Sequence, residues 1–190
     1  MTYQLDFLPS PNPSPISMSY ELDRAGWASF GLRCGEAEFK IPAFAYVTDG
    51  LGDIIRAALS IVTGTTHVDV LFDCEPHIWG LSVEPAGVAG DHDDPIRLCR
   101  VTVRDGGDGE DGAANEGGPV WLWNSAVLLE AVVVSDDFGH AALRIAEVMR
   151  ERTDDKSYRE RWGHYANLEG FPLRGMTALS AALSVKEYRG

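Results

Sequence analysis

Apolar and polar residues alternate along much of the first 134 residues, and this period of two predicts β-strands. The pattern predicts one strand at Ser17–Arg33, broken near Gly26, and a second at Glu36–Ala43. Pro42 predicts that the second strand ends there or lies at a sheet edge, because proline cannot donate a backbone hydrogen bond. Before these strands, four prolines in residues 1–17 favour an extended leader rather than a helix.

The period changes between Gly50 and Val62, where apolar residues recur at intervals of three and four. This spacing predicts an amphipathic helix. Thr48 or Asp49 suits the start of that helix, and Gly64 suits the left-handed residue that often follows a helix end.

Strand-like alternation returns after this helix, in residues 68–73 and 79–83, and predicts a hairpin. A further strand is predicted at Ile96–Arg104, with a bulge where the apolar parity shifts at Arg100. The segment Asp105–Gly118 has six glycines and five acidic residues, which predicts a mobile loop. Residues 119–123 and 128–134 favour strands, although Ser125–Ala131 also fits the start of a helix, and the sequence leaves this open.

The last part of the chain is predicted to be helical. Ser135 suits a helix N-cap, and Phe138, Ala142, Ile145 and Met149 follow it at helical spacing. A short helix carrying Tyr158 and Trp162 and a final helix after Phe171-Pro172 complete this part. The pattern predicts one α+β domain at residues 18–190, with an antiparallel sheet and one intervening helix in residues 18–134 and helices packed on it from residues 135–190.

The net charge differs between the strand-rich and the helical part of the chain. The formal net charge is −13, residues 1–135 have 20 Asp/Glu against 7 Lys/Arg, and residues 136–190 have nine of each. Excess negative charge repels phosphate, so the sequence argues against a nucleic-acid partner and leaves a basic protein partner open. No segment has the roughly 20 apolar residues of a membrane helix and the N-terminus lacks a signal-peptide pattern, so we expect a cytoplasmic protein without a membrane partner.

The chain carries no recognisable metal or cofactor motif. Cys34, Cys74 and Cys99 are widely spaced and are expected to be small buried residues. Residues 91–94 (Asp-His-Asp-Asp) are hard ligands, but adjacent side chains of an extended loop diverge. The loop beginning at Asp105 fits no EF-hand register. We therefore expect no metal and no cofactor.

Histidines are the candidates for a site assembled from distant residues. His67 and Asp69 lie two apart on a predicted strand, so their side chains can touch. No serine or cysteine lies in a recognised nucleophile motif, and the pair is therefore more simply a surface contact. A pocket that joined His67, His77 or His92 with two carboxylates would indicate an enzyme or a small-ligand binder.

Two surfaces are candidates for protein binding. One is a pair of tryptophans, Trp121 and Trp123, which share one face of a predicted strand. The other is an acidic interface formed by Asp91, Asp93, Asp94, Asp105, Asp108, Glu110, Asp111 and Glu116.

A resemblance bears on function. The pattern predicts, in this order, an edge-rich antiparallel sheet, a helix after Asp49-Gly50, a hairpin around residues 74–76 and a helical tail with Tyr158, Trp162 and Phe171-Pro172. This order of elements resembles that of small uncharacterised bacterial proteins, some of them immunity-like partners of polymorphic toxins. The resemblance implies a neutralising binder without catalysis whose acidic surface meets a basic toxin domain. It implies no particular site residues.

The leading hypothesis is therefore a non-enzymatic cytoplasmic protein that binds a basic protein. An enzyme or small-ligand binder with a dispersed site is one alternative, and a structural homo-oligomer subunit is another. The oligomeric state and the identity of any partner stay open at this point.

Overall fold

The computed structural model describes residues 12–24, 26–45, 48–75, 77–90, 95–108, 126–162 and 171–187. These residues have an α+β fold, as the sequence predicts, with antiparallel sheets and helices in the order that the hydrophobic pattern indicates. The described strands form two sheets, one of three strands and one of four.

The three-stranded sheet has the order β1-β2-β3, formed by β1 (Ile16–Arg24), β2 (Trp27–Cys34) and β3 (Ala37–Ala45). Pro42 lies in β3, which is an edge strand, so the edge prediction is confirmed. The strand continues through Ala45 instead of ending at Pro42, because an edge strand can leave one backbone position without a donor.

The helix α1 (Gly50–Thr63) follows this sheet and matches the predicted helix. The Asp49 side chain accepts a hydrogen bond from the backbone N–H of Gly52 and caps the helix start. Gly64 ends the helix in the left-handed conformation at φ 101°, which an L side chain adopts only with strain. Arg97 donates a hydrogen bond to the Val62 carbonyl in the last turn.

The four-stranded sheet has the order β4-β5-β6-β7, formed by β4 (Val68–Asp73), β5 (His77–Ala89), β6 (Ile96–Asp108) and β7 (Ala126–Val134). Residues 126–131 are therefore strand, not helix. β6 extends through Asp108 into the segment that the sequence predicted as a loop, and residues 109–125 lie outside the described residues.

The predicted bulge in β6 at Arg100 is wrong, because β6 pairs with β7 without a register shift from Leu98 to Val103. Its buried residues Cys99, Val101 and Val103 alternate regularly. The β5–β6 register does shift nearby, between Pro85 and Gly87 opposite Cys99 and Leu98, so the extra residue is in β5.

Three helices complete the described fold: α2 (Ser135–Arg152), α3 (Asp155–Trp162) and α4 (Leu173–Glu187). Ser135 is the first residue of α2, and the extended Val134 occupies the N-cap position without a side-chain cap, so the predicted start is off by one residue. Tyr158, Met176, Leu179 and Leu183 are buried, as the helical spacing indicates.

One hydrophobic core joins both sheets and the helices. Phe72 of β4 is fully buried between rings of the other sheet, with its centroid 5.2 Å from Phe30 and 4.9 Å from Phe44. A backbone hydrogen bond from Ser14 to the Val132 carbonyl, 2.8 Å long, also joins the segment before β1 to β7. The side chains of Asp69, Ser82 and Glu84 alternate with those of the core residues Val70, Leu81 and Val83 and therefore lie on the opposite, outer face of the four-stranded sheet.

Candidate functional site

His67 lies on the outer face of the four-stranded sheet between two carboxylates. Its Nε2 is 2.9 Å from Asp69 Oδ2, and its Nδ1 is 3.8 Å from Glu84 Oε2. The contact with Asp69 is the one that the spacing of two along the chain makes available. Glu84 comes from the neighbouring strand, because the register that pairs Val68 with Val83 continues to this pair.

A polar network extends from this group across the sheet. The Ser82 hydroxyl donates to Asp69 Oδ1 at 2.6 Å, and Arg100 Nη1 donates to Glu84 Oε1 at 3.0 Å. In a Ser-His-Asp triad the histidine lies between the serine and the carboxylate. Here Asp69 lies between Ser82 and His67, so this order does not make Ser82 a nucleophile.

His77 belongs to a different place on the same sheet. Its Nε2 is 2.7 Å from Asp105 Oδ1, and its ring centroid is 4.4 Å from that of Trp79. Trp79 in turn packs against Phe39 of the three-stranded sheet, at 5.2 Å. Strand alternation therefore puts His77 on the core side and His67 on the outer side, so the structure does not unite them in one pocket. His92 lies outside the described residues.

The predicted acidic interface is described only in part. Asp105 is half-buried and paired with His77, which makes it part of an internal contact. Asp108 ends β6, and nothing is described of its side chain. The other members lie outside the described residues, as do both tryptophans of the predicted aromatic patch: Asp91, Asp93, Asp94, Glu110, Asp111, Glu116, Trp121 and Trp123.

A second acidic surface was missed in the sequence. Residues 57–96 contain seven Asp/Glu and no Lys or Arg, and they include the whole β4–β5 hairpin. Asp73 and Glu75 at the hairpin turn form no ion pair with described residues, and Asp73 Oδ1 instead accepts the Glu75 backbone N–H at 2.9 Å. We name Asp69, Asp73, Glu75 and Glu84 the acidic hairpin. Counting basic residues in a sliding window would have found it.

A group of polar side chains surrounds the start of α1, in which Tyr20 and Tyr158 are buried, Asp49 is largely buried and Arg56 is exposed. Arg56 contacts Asp53 at 2.5 Å and Asp49 at 3.5 Å, and burial raises the pKa of the Asp49 carboxyl, while the Gly52 N–H and Arg56 oppose that rise. Burial also raises the pKa of Tyr20 and of Tyr158, whose hydroxyls make no hydrogen bond of good geometry with the described residues. Sequence reasoning could not bring these residues together, because they come from three distant elements.

The thiols are unsuited to covalent chemistry. Burial raises the pKa of Cys34 to about 11 and that of Cys99 to about 12, and burial with the neighbouring Asp73 raises that of Cys74 to about 12. Such thiols stay protonated at neutral pH and are poor nucleophiles. Within the described residues, no three His, Cys, Asp or Glu side chains are grouped so that they could hold a metal ion.

Three open grooves among the described residues have linings that include neither His67 nor His77. One of them has a volume of about 540 Å³ and lies between β1 and α2. No helix in the described part of the chain is long and apolar enough to cross a membrane.

Comparisons with known proteins add no family. No protein-family model, curated protein or solved structure matches the chain.

Proposed function

We propose that the protein is a non-enzymatic binding protein whose partner is a basic protein. The observation that supports this most directly is the acidic hairpin, which includes the edge strand β4 of the four-stranded sheet and has no Lys or Arg. Arg100 of β6 contacts Glu84 at 3.0 Å, and His67 lies within 4 Å of both Glu84 and Asp69. Asp73 and Glu75 form no ion pair with the described residues and are the carboxylates that an outside cation could meet.

Electrostatics explain how such a surface would act. An acidic surface attracts a basic partner over distances of about the Debye length, roughly 8–10 Å at physiological salt, and so speeds the encounter. The helical tail carries equal numbers of acidic and basic residues. The sheet-rich part is therefore the side that a cationic partner would approach.

The resemblance to immunity-like proteins supports a more specific form of the proposal, in which the partner is a basic toxin domain that the protein neutralises in the cytoplasm. The comparisons offer no support for this finer form.

A capture experiment with matched charge variants tests the proposal. The immobilised full chain is exposed to a lysate of its native host at about 50 and 500 mM salt, and captured proteins are identified by mass spectrometry. The test variant carries Asp73→Asn and Glu75→Gln, in which Asn keeps the acceptor that Asp73 presents to the Glu75 backbone. The control carries Glu151→Gln and Glu160→Gln on the exposed surface of the helical part, which removes the same amount of charge.

We expect the wild-type chain to capture a basic protein at low salt and to lose it at high salt. The test variant should capture less of this protein than the control variant does. Equal losses with the two variants would remove the hairpin from the interface. Absence of any salt-sensitive basic partner would refute the proposed function.

A small-ligand or catalytic site is the second candidate, and one observation favours it: His67 has two carboxylates within 4 Å. A His67→Gln variant separates the two functions. It should leave capture of a basic partner unchanged, whereas loss of a ligand-induced thermal shift in that variant would favour the second candidate.

A further inference from the structure

One side of β4 presents backbone groups that pair with no other strand. The hydrogen bond from the Cys74 N–H to the His77 carbonyl, 2.6 Å long, identifies the hydrogen-bonded pairs of the β4–β5 ladder. Residues of β4 at even steps from Cys74 therefore direct their N–H and C=O groups toward β5. Asp69, Leu71 and Asp73 lie at odd steps and direct theirs away from the sheet, and we call these three the outward residues of β4.

The outward residues have no backbone partner in the described part of the chain. Each of them is partly exposed, and α1 packs beneath β4 and β5 on the core side, with Gly50 next to the Phe72 ring. The lateral side of β4 is therefore left open by this helix. Unpaired N–H and C=O groups on an edge strand are a template for an additional strand.

The other edges carry protection that β4 lacks. Natural sheets often protect an edge with a proline, a lysine, a bulge or a covering element. β3 carries Lys40 and Pro42, and α2 packs along β1 and leaves Tyr20 only 3% exposed. β4 has neither a proline nor a lysine, and its six residues pair with β5 without a register shift. Its edge is therefore regular enough to pair with a further strand.

The charges along this edge select what can pair with it. Asp69 and Asp73 flank Leu71 on the outer face of the sheet. A second copy of the chain paired antiparallel about Leu71 would place Asp69 opposite Asp73 of that copy, and like charges directly opposite each other are destabilising. Asp73 and Glu75 form no ion pair with the described residues. The edge therefore disfavours pairing with itself and favours a strand that carries positive charge.

We infer that β4 binds an extended segment of the protein's basic partner, which joins the four-stranded sheet as an additional antiparallel strand. Main-chain hydrogen bonds to the outward residues supply the pairing, and residues directly opposite each other share one face. The bound segment should therefore carry a basic residue opposite Asp73 and an apolar residue opposite Leu71. The inference rests on the proposed function, because it assigns this segment to the partner proposed there.

Amide hydrogen exchange of the full chain locates the pairing. The probe is a seven-residue peptide with blocked ends, which has threonine at both ends, lysine next to each threonine and valine at the three central positions. The same peptide with glutamate in place of lysine is the charge control. The lysine peptide should slow exchange at Asp69, Leu71 and Asp73. The amides of Val70 and Phe72 already bond to β5 and should not change.

Methylation of the peptide backbone isolates the main-chain contribution without a change in the protein. A methyl group on the amide nitrogen of the central valine removes an N–H that should face β4, whereas one on a neighbouring valine lies on the opposite side of the peptide strand. We expect the central methyl group to weaken binding by about tenfold or more, because a hydrogen bond is lost and the methyl group obstructs the approach of the strands. The methyl group on a neighbouring valine should weaken binding far less.

Several results would overturn the inference. These are slowed exchange that does not distinguish Val70 and Phe72 from the outward residues, equal binding of the lysine and glutamate peptides, and equal effects of the two methyl groups. Exchange at the outward residues that is already slow in the free protein would also overturn it, because another segment of the chain or a second copy would then cover the edge. If the lysine peptide does not bind while the variant with Asp73→Asn and Glu75→Gln still captures less of a basic protein, the inference fails and the proposed function stands.

Discussion

The burial of Phe72 yields a prediction about how the two sheets unfold. Its side chain is fully buried and its ring lies 5.2 Å from Phe30 and 4.9 Å from Phe44, both in the three-stranded sheet. Replacing a buried phenylalanine with alanine costs about 3–5 kcal/mol through lost transfer free energy and the cavity that remains. Phe72→Leu keeps most of the volume but loses two ring contacts of about 0.5–1.5 kcal/mol each, so we expect a loss of about 1–3 kcal/mol.

Urea denaturation followed by circular dichroism measures these losses, and native-state hydrogen exchange shows where they act. Because Phe72 belongs to one core shared by both sheets, amides of β2 and β6 should lose protection together in the alanine variant. Val127→Ala is the control, since Val127 is 47% exposed and its truncation should change stability by less than about 0.5 kcal/mol. A loss below about 1.5 kcal/mol in Phe72→Ala, or exchange confined to the four-stranded sheet, would refute the reasoning.

Three further experiments test the rest of the structure. Because burial raises the pKa of Asp49, the wild-type protein should gain stability relative to Asp49→Asn as the pH falls through that raised pKa. The gain should be complete below the ordinary pKa of 3.8 and absent at neutral pH, and urea titrations at several pH values that show no such difference would contradict the prediction. The Cys34 and Cys99 thiols should react with a disulfide reagent at least about tenfold more slowly in native than in unfolded protein, and equal rates would contradict their burial. Gly64→Ala should lower the unfolding free energy by about 1 kcal/mol, and Gly64→Asn should lower it by less, because Gly64 has a left-handed backbone at φ 101°. Unchanged thermal melts of both variants would argue against that conformation.

The local pattern of apolar and polar residues predicted much of the fold. The spacing of three and four in residues 50–62 was enough for α1, because a helix buries one face whatever it packs against, and Asp49 and Gly64 act on adjacent backbone groups. The contact between His67 and Asp69 was accessible for a similar reason, since alternate residues of a strand share a face. The ambiguity of residues 126–131 could not be removed in this way, because a short apolar run fits a buried strand and a helix equally well.

The tertiary structure decided everything that depends on register and on contacts between distant segments. Periodicity does not say which strands pair, so only the fold divides the strands into two sheets and separates His67 from His77 across one of them. Tyr20 and Tyr158 meet the start of α1 because three elements pack on a common core, and no local pattern encodes that approach. The sequence by itself determined most of the elements and the uneven charge, whereas packing determined which strands lie at the sheet edges, because an edge exists only relative to the strands that do not pair with it.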